Sequence, residues 1–380
     1  MTAKTISIAA ILLILAASVR VFGETSEREQ PSRFAVTLLT LFRDSDEVFV
    51  ATFDKVDDET LVAVETNFTV ARVTSRFTVI STLKGEPRKL LDLQDETFRY
   101  RLSPEAPETT FIKDQHSFDP SAAARPGDKV LLFLRRDPKD GSLSLLDSRD
   151  GIKRLAADDE ADFLDRITEL GKILAGPKVE ASIVAEWLVR CVERPATRWE
   201  GAFELERGFR LLEQQERQAK AIEAAAAPRA AESTELKTSN IDMAAVASAL
   251  SEKQKERLTN ALLTADGFDP ASTGKLSLGD LQLIKLVRRW GGRDIALSVV
   301  QRLKYRSAIG ADDIYLMTVV AELIGDRAAL EQARTIARLT SERNADPAAS
   351  TSADPRHSIL VSFVGRIERA VTLKPGENAK

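Results

Sequence analysis

The sequence predicts an α+β protein of two domains: a small β-barrel with an N-terminal helix over residues 34–154, then an all-α, solenoid-like domain of helical hairpins over residues 158–374. Length is the first reason, because 380 residues exceed what one hydrophobic core normally serves. The second is a change of period. Short β-branched and aromatic runs between turn residues give way, after about residue 158, to apolar residues at helical spacing. The third is composition: 43% hydrophobic and 29% charged residues are those of an ordinary globular chain.

Residues 1–23 depart from that composition. Lys4 gives a positive start, Ile6–Ala17 is an apolar run broken only by Ser7, and Val21-Phe22-Gly23 offers small side chains where a signal peptidase reads. These features predict a signal peptide over 1–23 with cleavage near Glu24. The chain is then exported, periplasmic or extracellular, and meets a membrane only through its leader. An uncleaved anchor stretching to Phe22 is the alternative; the apolar run falls short of the roughly 20 residues a bilayer span needs, and Arg20 interrupts it. Removing Lys4 and Arg20 from the 54 basic residues leaves 52 against 58 acids, which speaks against nucleic acid as a partner. Cys191 is the single cysteine, so no intramolecular disulfide can form. It lies on an apolar helical face with Ile183, Trp187 and Leu188, the setting of a buried inert thiol rather than a nucleophile.

The first domain opens with a helix, since Phe34, Leu38, Leu41 and Phe42 share one helical face. Val48–Phe53 is rich in side chains that suit a strand. Asp57-Asp58-Glu59 is predicted as an acidic turn, followed by a second β run from Phe68 to Leu83. Gly85 permits a positive φ and Pro87 cannot donate to a ladder, so that strand stops there. Gln94–Arg125 is polar and proline-punctuated, a long excursion with one or two short strands. Pro126-Gly127-Asp128 turns into Lys129–Leu134, an unbroken apolar run that suits a central strand buried on both faces. Asp137–Gly141 carries hairpin residues before Leu143–Leu146, and Ile152–Leu155 leads out. About five strands with one N-terminal helix fit a small closed barrel of the OB type.

Within this region Ser45–Phe53, Phe77–Gly85 and Pro126–Phe133 resemble the bacterial version of the TIMP-like, or netrin-type, OB module. The resemblance covers about a third of the chain and implies a strand order and protein binding in general, not an activity. In the inhibitory animal members an N-terminal cysteine chelates a metalloprotease zinc and disulfides pin it. Residues 24–45 contain no cysteine here, so that mechanism does not carry over.

In the second domain Phe163, Ile167, Leu170 and Leu174 form one helical stripe, stopped by Gly176-Pro177. Val179, Ile183, Trp187 and Cys191 form the next, stopped before Pro195. A third helix starts near Thr197, carries Trp199, Phe203, Phe209 and Leu212, and runs toward Pro228. Loops are predicted near 228–240 and 343–357, with helices resuming at Ile241. Ser277 with Asp280 resembles a capping box ahead of Leu281, Ile284 and Val287, and Gly291-Gly292 ends that helix. Ile295–Tyr305 is expected to pair with it as a hairpin. Asp312 is expected to cap Ile314–Ile324, and Gly325-Asp326 turns into Arg327–Leu339. Gly292 and Ala296-Leu297 recur as Gly325 and Ala329-Leu330, an offset of 33 residues found in HEAT-like or TPR-like arrays. No repeat consensus is met, and an irregular bundle fits the same spacing.

Chemistry-bearing patterns are few. His116 and His357, both in polar loop contexts, lack second ligands at metal spacing. No nucleophile elbow, phosphate loop or dinucleotide fingerprint occurs. Asp266–Pro270 with Asp280 lacks the ligand alternation of a calcium loop. Asp158-Asp159-Glu160 and Asp312-Asp313 fall at helix starts, where acids complement the dipole. No catalytic residue, metal or cofactor is therefore assigned. The most unusual string is Glu193–Gly201, whose Arg194, Arg198 and Trp199 have two readings. One is a helix-junction anchor, the favoured one; the other is an interaction hot spot. The function that fits is an exported, non-enzymatic protein-binding or scaffold protein whose partner is another envelope or secreted protein. The alternatives are an envelope hydrolase with a dispersed carboxylate site, or carbohydrate binding on the barrel face.

Overall fold

Two long strands and a buried third build the first part of the chain. The computed structural model describes residues 36–65, 68–100, 109–110, 124–147, 150–225, 241–268, 275–306, 309–345 and 355–372. The leader over 1–23, Phe34, His116, the loop 228–240 and Asp269-Pro270 lie outside the described residues. Helix α1 (Leu38–Asp44) buries Leu38, Leu39, Leu41 and Phe42, and Thr37 caps its start. Strands β1 (Glu47–Glu65) and β2 (Phe68–Lys84) pair antiparallel along their whole length, from Val48 opposite Lys84 to Glu65 opposite Phe68. The acidic turn expected at Asp57-Asp58-Glu59 is thus strand. A break in register between Asp57 and Glu59 absorbs the triplet as an irregularity, and the chain reverses only after Glu65.

Strand β3 (Leu90–Tyr100) pairs with β2, a longer strand than the excursion beginning at Gln94 foresaw. It is followed by β4 (Thr109–Thr110), β5 (Lys129–Arg136), β6 (Leu143–Leu145) and β7 (Ile152–Arg154). The antiparallel order is β4-β3-β2-β1-β5-β6, with β7 also on β5. Gly85, Gly127 and Gly141 take positive φ at the turns the sequence marked. Phe49, Ala51, Phe53, Phe77, Leu91, Leu93, Val130, Leu132, Leu134 and Ile152 form one core on the concave face. Side chains alternate along a strand, so Val48, Val50, Leu131 and Phe133 point the other way, and they are buried too. On that side α1 packs against β5, and the next helix, α2 (Glu160–Leu174), packs against β2. Burial on both faces is why the β5 run is unbroken.

The closed barrel expected from the strand pattern is instead a curled antiparallel half-barrel. β3 and β6 approach each other, but among the described residues no ladder joins them. The free edge of β5 is divided between two three-residue strands, β6 and β7.

Helices α3 (Ala181–Val192), α4 (Arg198–Ala225), α5 (Met243–Ser248), α6 (Glu252–Leu263), α7 (Leu278–Val287), α8 (Gly292–Lys304), α9 (Ala311–Ile324), α10 (Arg327–Ala345) and α11 (Pro355–Thr372) follow. Thr37–Lys380 is one compact unit, and α4 is its hub, packed on α3, α5 and α7. Two glycines on one face of α4 allow this. A Cβ on Gly201 would sit 2.4 Å from the Leu188 carbonyl oxygen, and one on Gly208 2.4 Å from that of Met243.

Several local expectations change. The buried residues of α3 are Val184, Ala185, Trp187, Leu188, Val189, Cys191 and Val192, while Ile183 is 47% exposed, so the burial is wider than the expected stripe and leaves Ile183 out. The capping box of α7 forms as expected, Ser277 and Asp280 each accepting the other's backbone N–H at 3.0 Å. α9 begins after Gly310, and Asp313 rather than Asp312 closes its start, accepting from Gly310 N at 3.0 Å. Buried Arg302 of α8 holds Asp313 in place at 3.1 Å, while Asp312 accepts from Leu276 N at 2.9 Å. α7 packs on α4 and α6, whereas α8 packs on α9 and α11, so the hairpin expected between α7 and α8 is replaced by partners on either side. The loop expected at 343–357 is shorter, because α10 runs to Ala345 and α11 starts at Pro355, a residue suited to a first helical turn; His357 is helical.

Candidate functional site

Arg198 is 8% exposed, donating to Val192 O at 3.2 Å and to Asp280 Oδ1 at 2.6 Å, so it ties the start of α4 to the cap of α7. Trp199 stacks on Phe203 with ring centroids 5.2 Å apart, and Lys153 of β7 sits 6.0 Å over its ring. Arg194 is an exposed side chain 3.7 Å from Asp162. The three are neighbours in sequence, but they point into different surroundings, and two of them are occupied in joining elements.

Beside Trp199 lies a cluster the sequence reading did not single out. Glu200 and Glu204, one turn apart on α4, are both buried. Glu200 accepts from Leu38 N at 2.9 Å and from Lys153 Nζ at 2.8 Å, and Glu204 accepts from Thr37 Oγ1 at 2.5 Å. The two carboxylates therefore take up the donors at the start of α1, where negative charge suits the helix dipole. Burial raises the Glu200 carboxyl above its usual range, against the lowering effect of Lys153. A signal existed: the acids fall on the same face as Gly201 and Leu205, where a solvated helix would not carry charge.

At the other end of α1 a cleft of about 720 Å³ opens between α1, the end of β2, and α2. Phe42, Leu83, Ile167, Leu174, Val179 and Ile241 give it an apolar floor, and Gly171 lets the Phe42 ring pack directly on α2, since a Cβ there would come 3.3 Å from it. The ionisable residues on its lining are Arg43, Lys84 and Lys172, all cations. Lys84 reaches back from β2 to the last carbonyls of α1, donating to Phe42 O at 3.0 Å, Arg43 O at 3.2 Å and also to Ser45 O. Its three hydrogens are thereby used, and burial lowers its pKa, opposed by Asp46 and Asp44. Arg43 forks onto Asp44 through Nε and Nη2, at 2.5 and 2.7 Å, leaving Nη1 over; the hydrogen bond to Asp44 raises its pKa. Lys172 is exposed and has no hydrogen-bond or ion-pair partner among the described residues.

Elsewhere, Cys191 is buried and its thiol is pushed well above the usual range by burial. Among the described residues no group of three or more His, Cys, Asp or Glu is placed to hold a metal ion, and no helix is long and apolar enough to cross a membrane.

Fold and cleft together define an α+β protein with a cation-rimmed apolar recess where its curled sheet meets its helices. No family model matches the chain, and no curated protein or solved structure does either.

Proposed function

We propose that this protein works by binding rather than by catalysis, as an exported, non-enzymatic protein-binding or scaffold protein, and that the cleft beside α1 is its recognition site. One observation carries the reading. The cleft combines an apolar floor with cations alone on its rim, in a chain whose net charge is −4. Such a recess receives an apolar group and favours negative charge beside it. The buried carboxylates Glu200 and Glu204 are committed to the start of α1. The curled sheet with its leading helix is read as an OB-type module like the TIMP-like family, supported by the long β1–β2 hairpin and the doubly buried β5.

A photo-reactive residue placed at Lys172, on the rim, tests this in cells exporting the protein. A discrete crosslinked species is expected, lost when Ala175→Trp fills the cleft and absent from a probe on the far face of α11. Turnover of a substrate by the purified protein, or crosslinks indifferent to Ala175→Trp, would overturn the reading.

A further inference from the structure

We propose that α1 is a proton-linked clasp, docked on α4 while the Glu200–Glu204 pair under its start holds a proton and loosened as that proton leaves. Because α1 also carries Phe42 and Arg43 into the cleft, the clasp regulates that wall of it, a consequence that rests on the binding reading above.

Glu200 and Glu204 are both buried on α4, and their oxygens meet neighbouring residues of α1: the Leu38 amide at 2.9 Å, the Thr37 hydroxyl at 2.5 Å and the Thr40 hydroxyl at 3.4 Å. Two like charges held this close, out of water, oppose each other's ionisation. The surrounding cations offset this only in part. Lys153 of β7, with 18% of its side chain exposed, is 2.8 Å from Glu200. Arg207, on α4 itself, is 3.4 Å from Glu204 but half in solvent, where its charge is screened. Arg43 of α1, which also feels Glu204, is already forked onto Asp44. On the α3 side the titratable group that feels Glu200 is the Cys191 thiol, held neutral by burial. Among the described residues one buried cation therefore serves two buried acids. At Glu200 the net result is a carboxyl that keeps its proton more tightly than usual, chiefly through burial.

The coupling to α1 follows from linkage. Lifting α1 exposes Glu200 to water and removes the burial that favours its neutral form, so the docked state takes up a proton that the lifted state gives back. Raising pH through that range shifts the balance toward the lifted state. α1 has seven residues, too few to hold a helix away from the body, so lifting also unwinds it. Its far end is tied by Lys84 to the carbonyls of Phe42, Arg43 and Ser45, and no carboxyl takes part in that tie, so the acid-range titration belongs to the start.

Hydrogen exchange of the exported protein, followed by mass spectrometry from about pH 5 to about pH 8 and corrected for the intrinsic rate at each pH, tests the clasp. The amides of Leu38, Leu41 and Ser45 are hydrogen-bonded in the docked helix and report on it. Protection of residues 37–45 is expected to fall by at least about threefold as pH rises, while that of β5 holds. Glu200→Gln keeps an acceptor for the Leu38 amide and cannot ionise, so its profile is flat. Lys153→Met removes the cation that favours the carboxylate and moves the fall to higher pH, a displacement that a purely structural role for Glu200 would not produce. The proposal is overturned if residues 37–45 of the parent show no pH dependence beyond the intrinsic rate, or if Glu200→Gln keeps the parental profile. It is equally overturned if Lys153→Met leaves the midpoint in place or lowers it, or if β5 loses protection in step with α1. Crosslinking from Lys172 separates the two readings. Crosslinks beside a flat exchange profile remove the clasp and leave the binding reading standing, whereas the expected fall in protection without crosslinks upholds the clasp and removes the binding reading.

Discussion

Replacing Gly201 by alanine adds one methyl group to the middle of the α4 surface that faces α3. In an isolated helix the change stabilises by about 1 kcal/mol, because glycine is the poorer helix former. Here the new Cβ would fall 2.4 Å from Leu188 O and 2.9 Å from both Cys191 Cβ and Val192 Cγ2. The nearest atom belongs to helix backbone, which cannot rotate aside as a side chain end would. α3 and α4 must part, and overpacking of this kind costs about 1–3 kcal/mol. Taking the upper end of that range, because the clash is with backbone, and subtracting the gain in propensity leaves a net loss of about 2 kcal/mol. For a body of this size, at about 2.1 cal/mol/K per residue, that lowers Tm by about 3 °C. Gly365→Ala in α11 is the control: nothing lies within 4 Å of a Cβ there, so the same methyl should stabilise by about 0.5–1 kcal/mol. Urea denaturation and thermal melts of the two variants should move in opposite directions. If Gly201→Ala is as stable as the parent, or both variants move together, the close approach of α3 and α4 is wrong.

Asp280→Ala removes both the carboxylate facing buried Arg198 and one half of the α7 cap, and should cost about 3–5 kcal/mol by urea titration; Asp280→Asn, which keeps the cap, should cost less. Glu200 binds its proton more tightly folded than unfolded, so its contribution is most favourable below the ordinary value of 4.5 and is lost as pH rises toward the raised folded value. The stability of Glu200→Gln relative to the parent should therefore improve as pH climbs from 4.5 and then level off; a trend in the opposite direction would show that Lys153 outweighs burial. Cys191 should resist a thiol reagent in the native state and react stoichiometrically once urea unfolds the chain; rapid native labelling would contradict its burial.

Strand runs with dense β-branched and aromatic side chains were readable along the chain, as β1, β2 and β5 show, because burial on one or both faces leaves a period. The Ser277–Asp280 cap and the glycine turns were readable because their chemistry is local. What stayed hidden depends on distant partners. Asp313 prevails over Asp312 at the start of α9 because Arg302, on another helix, selects it. Ile183 turns outward because α4 claims a neighbouring face of α3. The cleft brings together Phe42, Lys84 and Lys172, which no spacing rule connects. Arg198 and Trp199 were visible as an unusual pair, but their neighbours, Asp280 and Lys153, were not.

The contacts at the start of α1 span 162 residues from Leu38 to Glu200 and 167 from Thr37 to Glu204. The earliest helix of the described chain to leave the ribosome thus waits for α4 to be synthesised before its exposed amides are answered. A fragment ending after β7 would contain every described strand and still leave the Leu38 amide and the Thr37 hydroxyl without their Glu200 and Glu204 acceptors. Maturation should accordingly be late and concerted, with the sheet acquiring its final rigidity only when the central helix arrives, as contacts of such long range require.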